Sequence, residues 1–170
     1  MNVLETERLV IRRLRASDLD ELSALCCDAE LMRYVGDGRP LGREQVQLWI
    51  ERSLDNYARR GFGCMAVTEK SDGRLIGYCG LVYAPGSDEA EIIYALKREF
   101  WGRGLASEAA RAMIAYGLNE HRLPRILATI DPDNLSSIRI VEKLGLKFLT
   151  RRVDEHGLPE LVYAIEREED

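Results

Sequence analysis

The chain has 170 residues, of which 46% are hydrophobic and 31% charged, which suits one globular domain and excludes a disordered chain. Lys and Arg total 24 against 29 Asp and Glu, a net charge of −5. A general binder of nucleic acid or of anionic membranes needs a basic face, so neither partner is expected.

At this length one core buries roughly two-thirds of the unfolded surface, and no repeat, linker or low-complexity tract divides the chain. A single domain over residues 1–170 is predicted. Met1–Glu7 lacks the basic start and apolar stretch of a secretory signal, and no apolar run reaches membrane-spanning length. Cys26, Cys27, Cys64 and Cys79 form no C-x-x-C pair and no metal-binding spacing, with only two histidines beside them. A reduced, cytoplasmic protein without a metal site is expected, its cysteines acting as small hydrophobes.

In chain order, Leu9–Leu14 alternates as a first strand. Ser17 reads as the N-cap of a helix whose apolar face is Leu19, Leu22 and Cys26. A loop with Gly36, Gly38, Pro40 and Gly42 follows. The next helix carries Val46, Trp49, Ile50, Ser53, Leu54 and Tyr57 on one face and ends at Gly61 and Gly63. Cys64–Glu69 and Leu75–Tyr83 read as a hairpin turning at Ser71-Asp72-Gly73-Arg74. The second of these strands is apolar on both faces, which places it centrally. Ala90–Leu96 is a fourth strand. The pattern then becomes strand–helix–strand–helix–strand. Gly104–Glu120 is helical, Arg125–Ile130 extended, Asn134–Leu144 helical with Gly145 closing it, and Leu146–Val153 and Leu158–Ile165 form a last hairpin. Antiparallel strands followed by a βαβ unit predict an α/β fold with one mixed sheet of about seven strands and about four flanking helices.

The chemistry concentrates where the fourth strand runs into a glycine loop that opens a helix. In Gly102-Arg103-Gly104-Leu105-Ala106-Ser107 the glycines let backbone N–H groups face a ligand, and the helix start adds free donors and partial positive charge. That combination binds phosphate, with Lys97, Arg98 and Arg103 adding local positive charge. There is no G-x-x-x-x-G-K-[ST], so a P-loop nucleotidase is not expected. The loop nearly fits G-x-G-x-x-G, and Asp131 ends the next strand, so a small NAD-dependent oxidoreductase is one alternative. The long antiparallel half before the loop argues against it. Without a ligand, the same loop is a glycine-assisted turn into a buried helix.

A second motif, Asn134-Leu135-Ser136-Ser137 through Glu142-Lys143-Leu144-Gly145, resembles the N-x-x-S-x-x-x-x-E-K-x-G segment of GNAT-superfamily N-acetyltransferases. Trp101-Gly102-Arg103-Gly104-Leu105-Ala106 is similar to their acyl-CoA pyrophosphate loop, with Trp101 in place of Gln or Arg. Leu4-Glu5-Thr6-Glu7-Arg8-Leu9 resembles the start of the RimJ/RimL-like branch, which includes ribosomal-protein N-terminal acetyltransferases. The resemblance covers nearly the whole chain. It implies a GNAT-like domain with a splayed parallel strand pair, and transfer of the acetyl group of acetyl-CoA to a primary amine by direct attack in a ternary complex.

By that resemblance, the backbone of Gly102, Arg103, Gly104, Leu105, Ala106 and Ser107 holds the pyrophosphate. Tyr94, Ala95 and Leu96 pair with the pantetheine arm, and the Asn134 side chain bonds it. Asn134 also suits plain helix capping, and Arg139 and Lys143 suit either phosphate or a solvated surface. Glu91 matches a frequent glutamate of relatives and is the candidate general base, working through water; an ordinary strand carboxylate is the plainer account. Val141 stands where some relatives place a tyrosine that protonates the leaving thiolate. Ser137 is therefore the candidate acid, with Tyr94 behind it. Leu146 replaces a frequent phenylalanine and should matter only to packing. The acceptor should bind beside the first two helices and the last hairpin, with Arg33, Tyr34, Asp37, Trp49 and Tyr83 as candidates. His121 and His156 are read as non-catalytic. The acceptor is expected to be a protein N-terminal or small-molecule amine, which the sequence does not distinguish, and a homodimer follows only by analogy. A non-catalytic acyl-CoA-binding protein of the same fold is the other alternative.

Overall fold

The computed structural model describes residues 2–170. Eight strands, β1 (Asn2–Glu5), β2 (Leu9–Arg13), β3 (Cys64–Glu69), β4 (Leu75–Tyr83), β5 (Ala90–Leu96), β6 (Arg125–Ile130), β7 (Lys147–Val153) and β8 (Pro159–Glu166), form one sheet. Their order is β1-β2-β3-β4-β5-β6-β8-β7, and every pairing is antiparallel except β5 with β6. The helices are α1 (Leu19–Cys26), α2 (Ala29–Met32), α3 (Arg43–Arg60), α4 (Leu105–Ala115) and α5 (Leu135–Lys143). No helix among the described residues is long and apolar enough to cross a membrane.

Period-2 alternation divides the core between the sheet's two faces. Ile76, Cys79, Leu81, Ile92 and Leu96 pack with Leu105, Ala109 and Met113 of α4 and Val141 of α5 on one face. Leu75 and Tyr78 pack with Leu22, Leu25, Val46 and Ile50 from α1 and α3 on the other. The central placement of Leu75–Tyr83 holds, because β4 is buried along most of its length and lies between β3 and β5.

Two elements exceed the expected set. β1 is four residues that pair with β2 through a register shift, too short for periodicity to reveal. α2 is one turn, capped by Asp28, whose Oδ1 accepts from Glu30 N and Leu31 N. Ser17 is not the N-cap expected of it. The turn Ala16–Asp18 precedes α1, and the Asp18 carboxylate accepts from Arg15 N at 2.8 Å. Leu54 is exposed rather than on the buried face of α3. The predicted helix to Glu120 ends as α4 at Ala115, and a wider turn covers Tyr116–Glu120. There Gly117 lies so close to Leu81 and Ile126 that a Cβ would fall 2.6 Å from Leu81 Cδ1 and 2.8 Å from Ile126 Cδ1. The two hairpins turn where expected, at Gly73 and Gly157, both with positive φ.

Candidate active site

β5 pairs with β4 from Ala90 to Leu96 but with β6 only through Ala90↔Ile126 and Glu91↔Leu127. β6 then follows β8 to Ile130. Beyond Glu91 the parallel pair therefore splays, and one edge of β5 is left without a partner strand. The gap is a cleft of about 590 Å³, in the range of cofactor and substrate sites. Its walls are Ile92–Leu96 on one side, and Ala128–Asp131, Asn134, Ser136, Ser137 and Ile140 on the other. It reaches Gly102 and Gly104–Ser107 beside α4, and Glu30, Leu31 and Arg33–Gly36 beyond α2. Because α4 and α2 cover opposite faces of the sheet, the cleft runs from one face to the other.

The glycine loop is built as its composition predicts. Gly102 and Gly104 both have φ of 74°, and Gly104 is the left-handed N-cap of α4, a conformation that costs other residues about 1–2 kcal/mol. Trp101 Nε1 donates to the Leu96 carbonyl at 2.8 Å and ties the loop to the end of β5. The backbone N–H groups from Gly102 to Ser107 have no protein acceptor among the described residues. A helix start with free amides of this kind is able to bind an anion. The expected help from nearby cations is smaller. Arg98 pairs with Asp28 at 2.7 Å and Lys97 with Glu21 at 3.9 Å, while Arg103 lies over the Phe100 ring. The donors here are the backbone amides.

Across the cleft, the Tyr94 hydroxyl and Ser137 Oγ are 2.7 Å apart. Burial pushes the Tyr94 phenol up to about 12, with the Ser137 hydrogen bond opposing the rise. Asn134 caps α5, its Oδ1 accepting from Ser137 N at 3.3 Å. This is the capping role, and Asn134 also lines the cleft. Val141 is fully packed in the core, so the hydroxyl beside Ser137 comes from strand β5 instead. Leu146 is likewise buried.

Glu91 does not line the cleft. It precedes the splay and shares the face of Ile93 and Ala95, opposite Tyr94. Burial raises its pKa above the usual carboxylate value, opposed by a hydrogen bond from Thr129, which does line the cleft. Around it stand the ion pairs Arg152–Glu160 at 2.7 Å and Arg125–Glu89.

Of the predicted site residues, Tyr94, Ala95, Leu96, Gly102, Gly104, Leu105, Ala106, Ser107, Asn134 and Ser137 all reach the cleft. Arg103, Arg139 and Lys143 do not; they are exposed, the last two on the outer side of α5. Among the acceptor candidates Arg33 and Tyr34 line it, but Asp37, Trp49 and Tyr83 do not. Trp49 packs edge-on against Tyr78, Asp37 accepts from Arg39 N, and Tyr83 stacks beneath Arg60. The last hairpin supplies no lining residue. His121 packs between Phe62 and Tyr116, and His156 lies in an exposed turn. The lining residues that the sequence reading missed include Glu30, Val35, Tyr78 and Thr129. Of these, only Thr129 carried a signal, as a polar residue inside an apolar strand.

The model of the GNAT acetyltransferase domain matches residues 8–147. The chain is 32% identical to the N-acetyltransferase p20 of Bacillus licheniformis, over 86% of this chain and 83% of that protein. A GNAT-family acetyltransferase structure from Bacillus anthracis superposes with a TM-score of 0.84 at 28% identity, covering 98% of this chain and 99% of that one. The ribosomal L7/L12 α-N-protein acetyltransferase RimL, solved with coenzyme A, superposes with a TM-score of 0.83 over 98% of both chains. At 15% identity that last likeness is one of fold alone.

Proposed function

The chain belongs to the GNAT acetyltransferase family, and from that premise we propose that it moves the acetyl group of acetyl-CoA to a primary amine by direct attack in a ternary complex. The observation that carries this reading is the cleft open to both sheet faces, with free backbone amides at one mouth and the Tyr94–Ser137 hydroxyl pair inside. Acetyl-CoA supplies the thioester: the amine nitrogen bonds the acetyl carbon, the carbon–sulfur bond breaks, the amine loses a proton and the thiolate gains one.

Each requirement has a residue. The amides of Gly102–Ser107 hold the pyrophosphate, and the unpaired edge of β5 holds the pantetheine arm. A lysine-type amine has a pKa of about 10.4 and an α-amine about 8, so a base is needed at neutral pH. Glu91 takes that proton through water, from the face opposite the hydroxyl pair. Ser137 donates to the thiolate, its own hydroxyl held by Tyr94. The acceptor is a protein N-terminus or a small-molecule amine, entering past Arg33 and Tyr34. The four cysteines are free thiols and three are buried, in keeping with a reducing cytoplasm.

Val141 favours a second reading, an acyl-CoA-binding protein without turnover. Thermal stabilisation by acetyl-CoA, CoA and NAD tests both. A ligand at about 100 times its Kd adds roughly 2.7 kcal/mol. Stabilisation by both CoA forms but not by NAD is expected. Amine-dependent release of thiol then separates catalysis from binding. If NAD alone stabilises, the transferase reading fails.

A further inference from the structure

Arg8 lies outside the cleft, just before β2, yet its side chain reaches the glycine loop. Nη1 donates to the Arg103 carbonyl at 2.9 Å, and Nε donates to Glu108 Oε2 at 3.2 Å. Nη2 stands 3.6 Å from where a Cβ on Gly104 would be. The Arg8 side chain is 45% exposed, and an exposed ion pair contributes little stability. The pairing with Glu108 is therefore not the main consequence of this contact.

The carbonyl contact acts on a different group. The Arg103 C=O and the Gly104 N–H belong to one peptide unit. No peptide bond among the described residues is cis, and in a trans peptide the two bonds point in opposite directions. Holding the carbonyl toward Arg8 aims the Gly104 N–H away from it. Gly104 lines the cleft and Arg103 does not, so the far side is the ligand side. Gly104 has positive φ, and on its side of the Arg103–Gly104 peptide no Cβ resists rotation. A flipped peptide would present a carbonyl oxygen where an anion must bind. A cationic donor on the carbonyl also polarises the opposite N–H and strengthens it as a donor. Glu108, in the first turn of α4, holds the other edge of the guanidinium and so fixes its direction.

We propose that Arg8 is a positioning residue for the anion-binding loop, holding the Arg103–Gly104 peptide so that the Gly104 N–H faces the pyrophosphate of the acyl-CoA. It touches neither substrate. The inference rests on the acyl-CoA reading given above, and its test separates the two. Thermal-shift titration, which reads affinities into the millimolar range, is carried out with CoA and with pantetheine, which lacks the nucleotide and the pyrophosphate. No stabilisation of the wild type by CoA would sink the acyl-CoA reading itself.

Given wild-type binding, Arg8→Gln should weaken CoA by about tenfold, the usual scale for a lost charge-assisted hydrogen bond. Its affinity for pantetheine should stay unchanged. Glu108→Gln, which leaves the carbonyl contact in place, should cost CoA affinity clearly less. Three outcomes overturn the inference: unchanged CoA affinity in Arg8→Gln, an equal loss with both ligands, or a loss in Glu108→Gln as large as in Arg8→Gln. A purely structural role for Arg8 produces the second of these.

Discussion

Tyr94 on β5 and Ser137 on α5 are 43 residues apart in the chain and share a hydrogen bond of 2.7 Å across the cleft. The bond spans the splay between β5 and the elements after β6, so it joins the two walls at one point. With Tyr94 donating, the Ser137 proton is free to point into the cleft. Ser137→Ala should lower turnover by about a hundredfold, the low end for a general acid, with little change in the KM for acetyl-CoA. Tyr94→Phe should cost less, and the double variant no more than Ser137→Ala alone, since the two hydroxyls act as one unit. Steady-state thiol release measures all three. Full turnover in Ser137→Ala would move the acid elsewhere.

Glu91 must be ionised to accept a proton, and burial raises its pKa above 4.5. Activity should therefore rise with pH through that raised value. With an acceptor amine of pKa about 8, the acidic limb of log kcat/KM for the wild type bends twice, once for the amine and once for Glu91. Glu91→Gln should remove the lower bend and reduce the rate by about a hundredfold. The stability effect has the opposite sign. A raised folded-state pKa means that Glu91's contribution is full below its unfolded value and is lost as pH rises through the folded one. At neutral pH, Glu91→Gln should not destabilise the fold. An unchanged rate and profile would return Glu91 to an ordinary strand carboxylate.

Gly77 sets the spacing of β4 and β5 behind the cleft. A Cβ there would collide with the Ala95 carbonyl oxygen and approach Leu96 Cδ2 to 2.6 Å and Leu96 Cα to 2.9 Å. Ala95 and Leu96 line the cleft. Gly77→Ala should destabilise by about 1–3 kcal/mol, as overpacking does, and also weaken CoA. Denaturant unfolding and CoA titration read the two effects; wild-type values in both would show that this part of the sheet yields.

Far from the cleft, Asp18 accepts from Arg12 Nη1 at 2.9 Å, Arg12 Nη2 at 2.8 Å and Arg15 N at 2.8 Å, and its side chain is almost fully buried. Burial alone would raise its pKa, but these donors outweigh it and hold the carboxyl below its usual value. Its stabilisation is present above the unfolded pKa and is lost as pH falls through the lowered one. Asp18→Asn should cost about 3 kcal/mol at neutral pH, because it leaves a buried guanidinium without its counter-charge. The variant should also lose less stability than wild type on acidification below pH 4. Chemical denaturation at pH 7 and pH 3 checks both expectations.

Local signals carried much of this molecule. Seven of the eight strands and the four longer helices follow from period-2 and period-3.6 hydrophobic patterns, with glycines and hairpin turns marking their ends. The phosphate loop was legible too, because Gly102 and Gly104 before an apolar helix dictate free amides whatever else the chain does. Asn134 and Ser137 came from the resemblance to the N-x-x-S-x-x-x-x-E-K-x-G segment of the family.

Other features depended on contacts between distant segments. Periodicity cannot show that β6 leaves β5 after two residue pairs while its other edge stays paired with β8 to Ile130. The splay, and hence the cleft, is a consequence of strand register. The Tyr94–Ser137 bond, the place of Glu91 beside Thr129, and the reach of Arg8 to the loop share that origin. Arg103, Arg139 and Lys143 show the converse: cations near a phosphate motif in sequence point away from the cleft once the helix and loop are packed. Residue type and local period determined which elements and which donors the chain possesses. Strand register and helix packing, which join residues far apart in sequence, decided which of those donors face one another across a shared space.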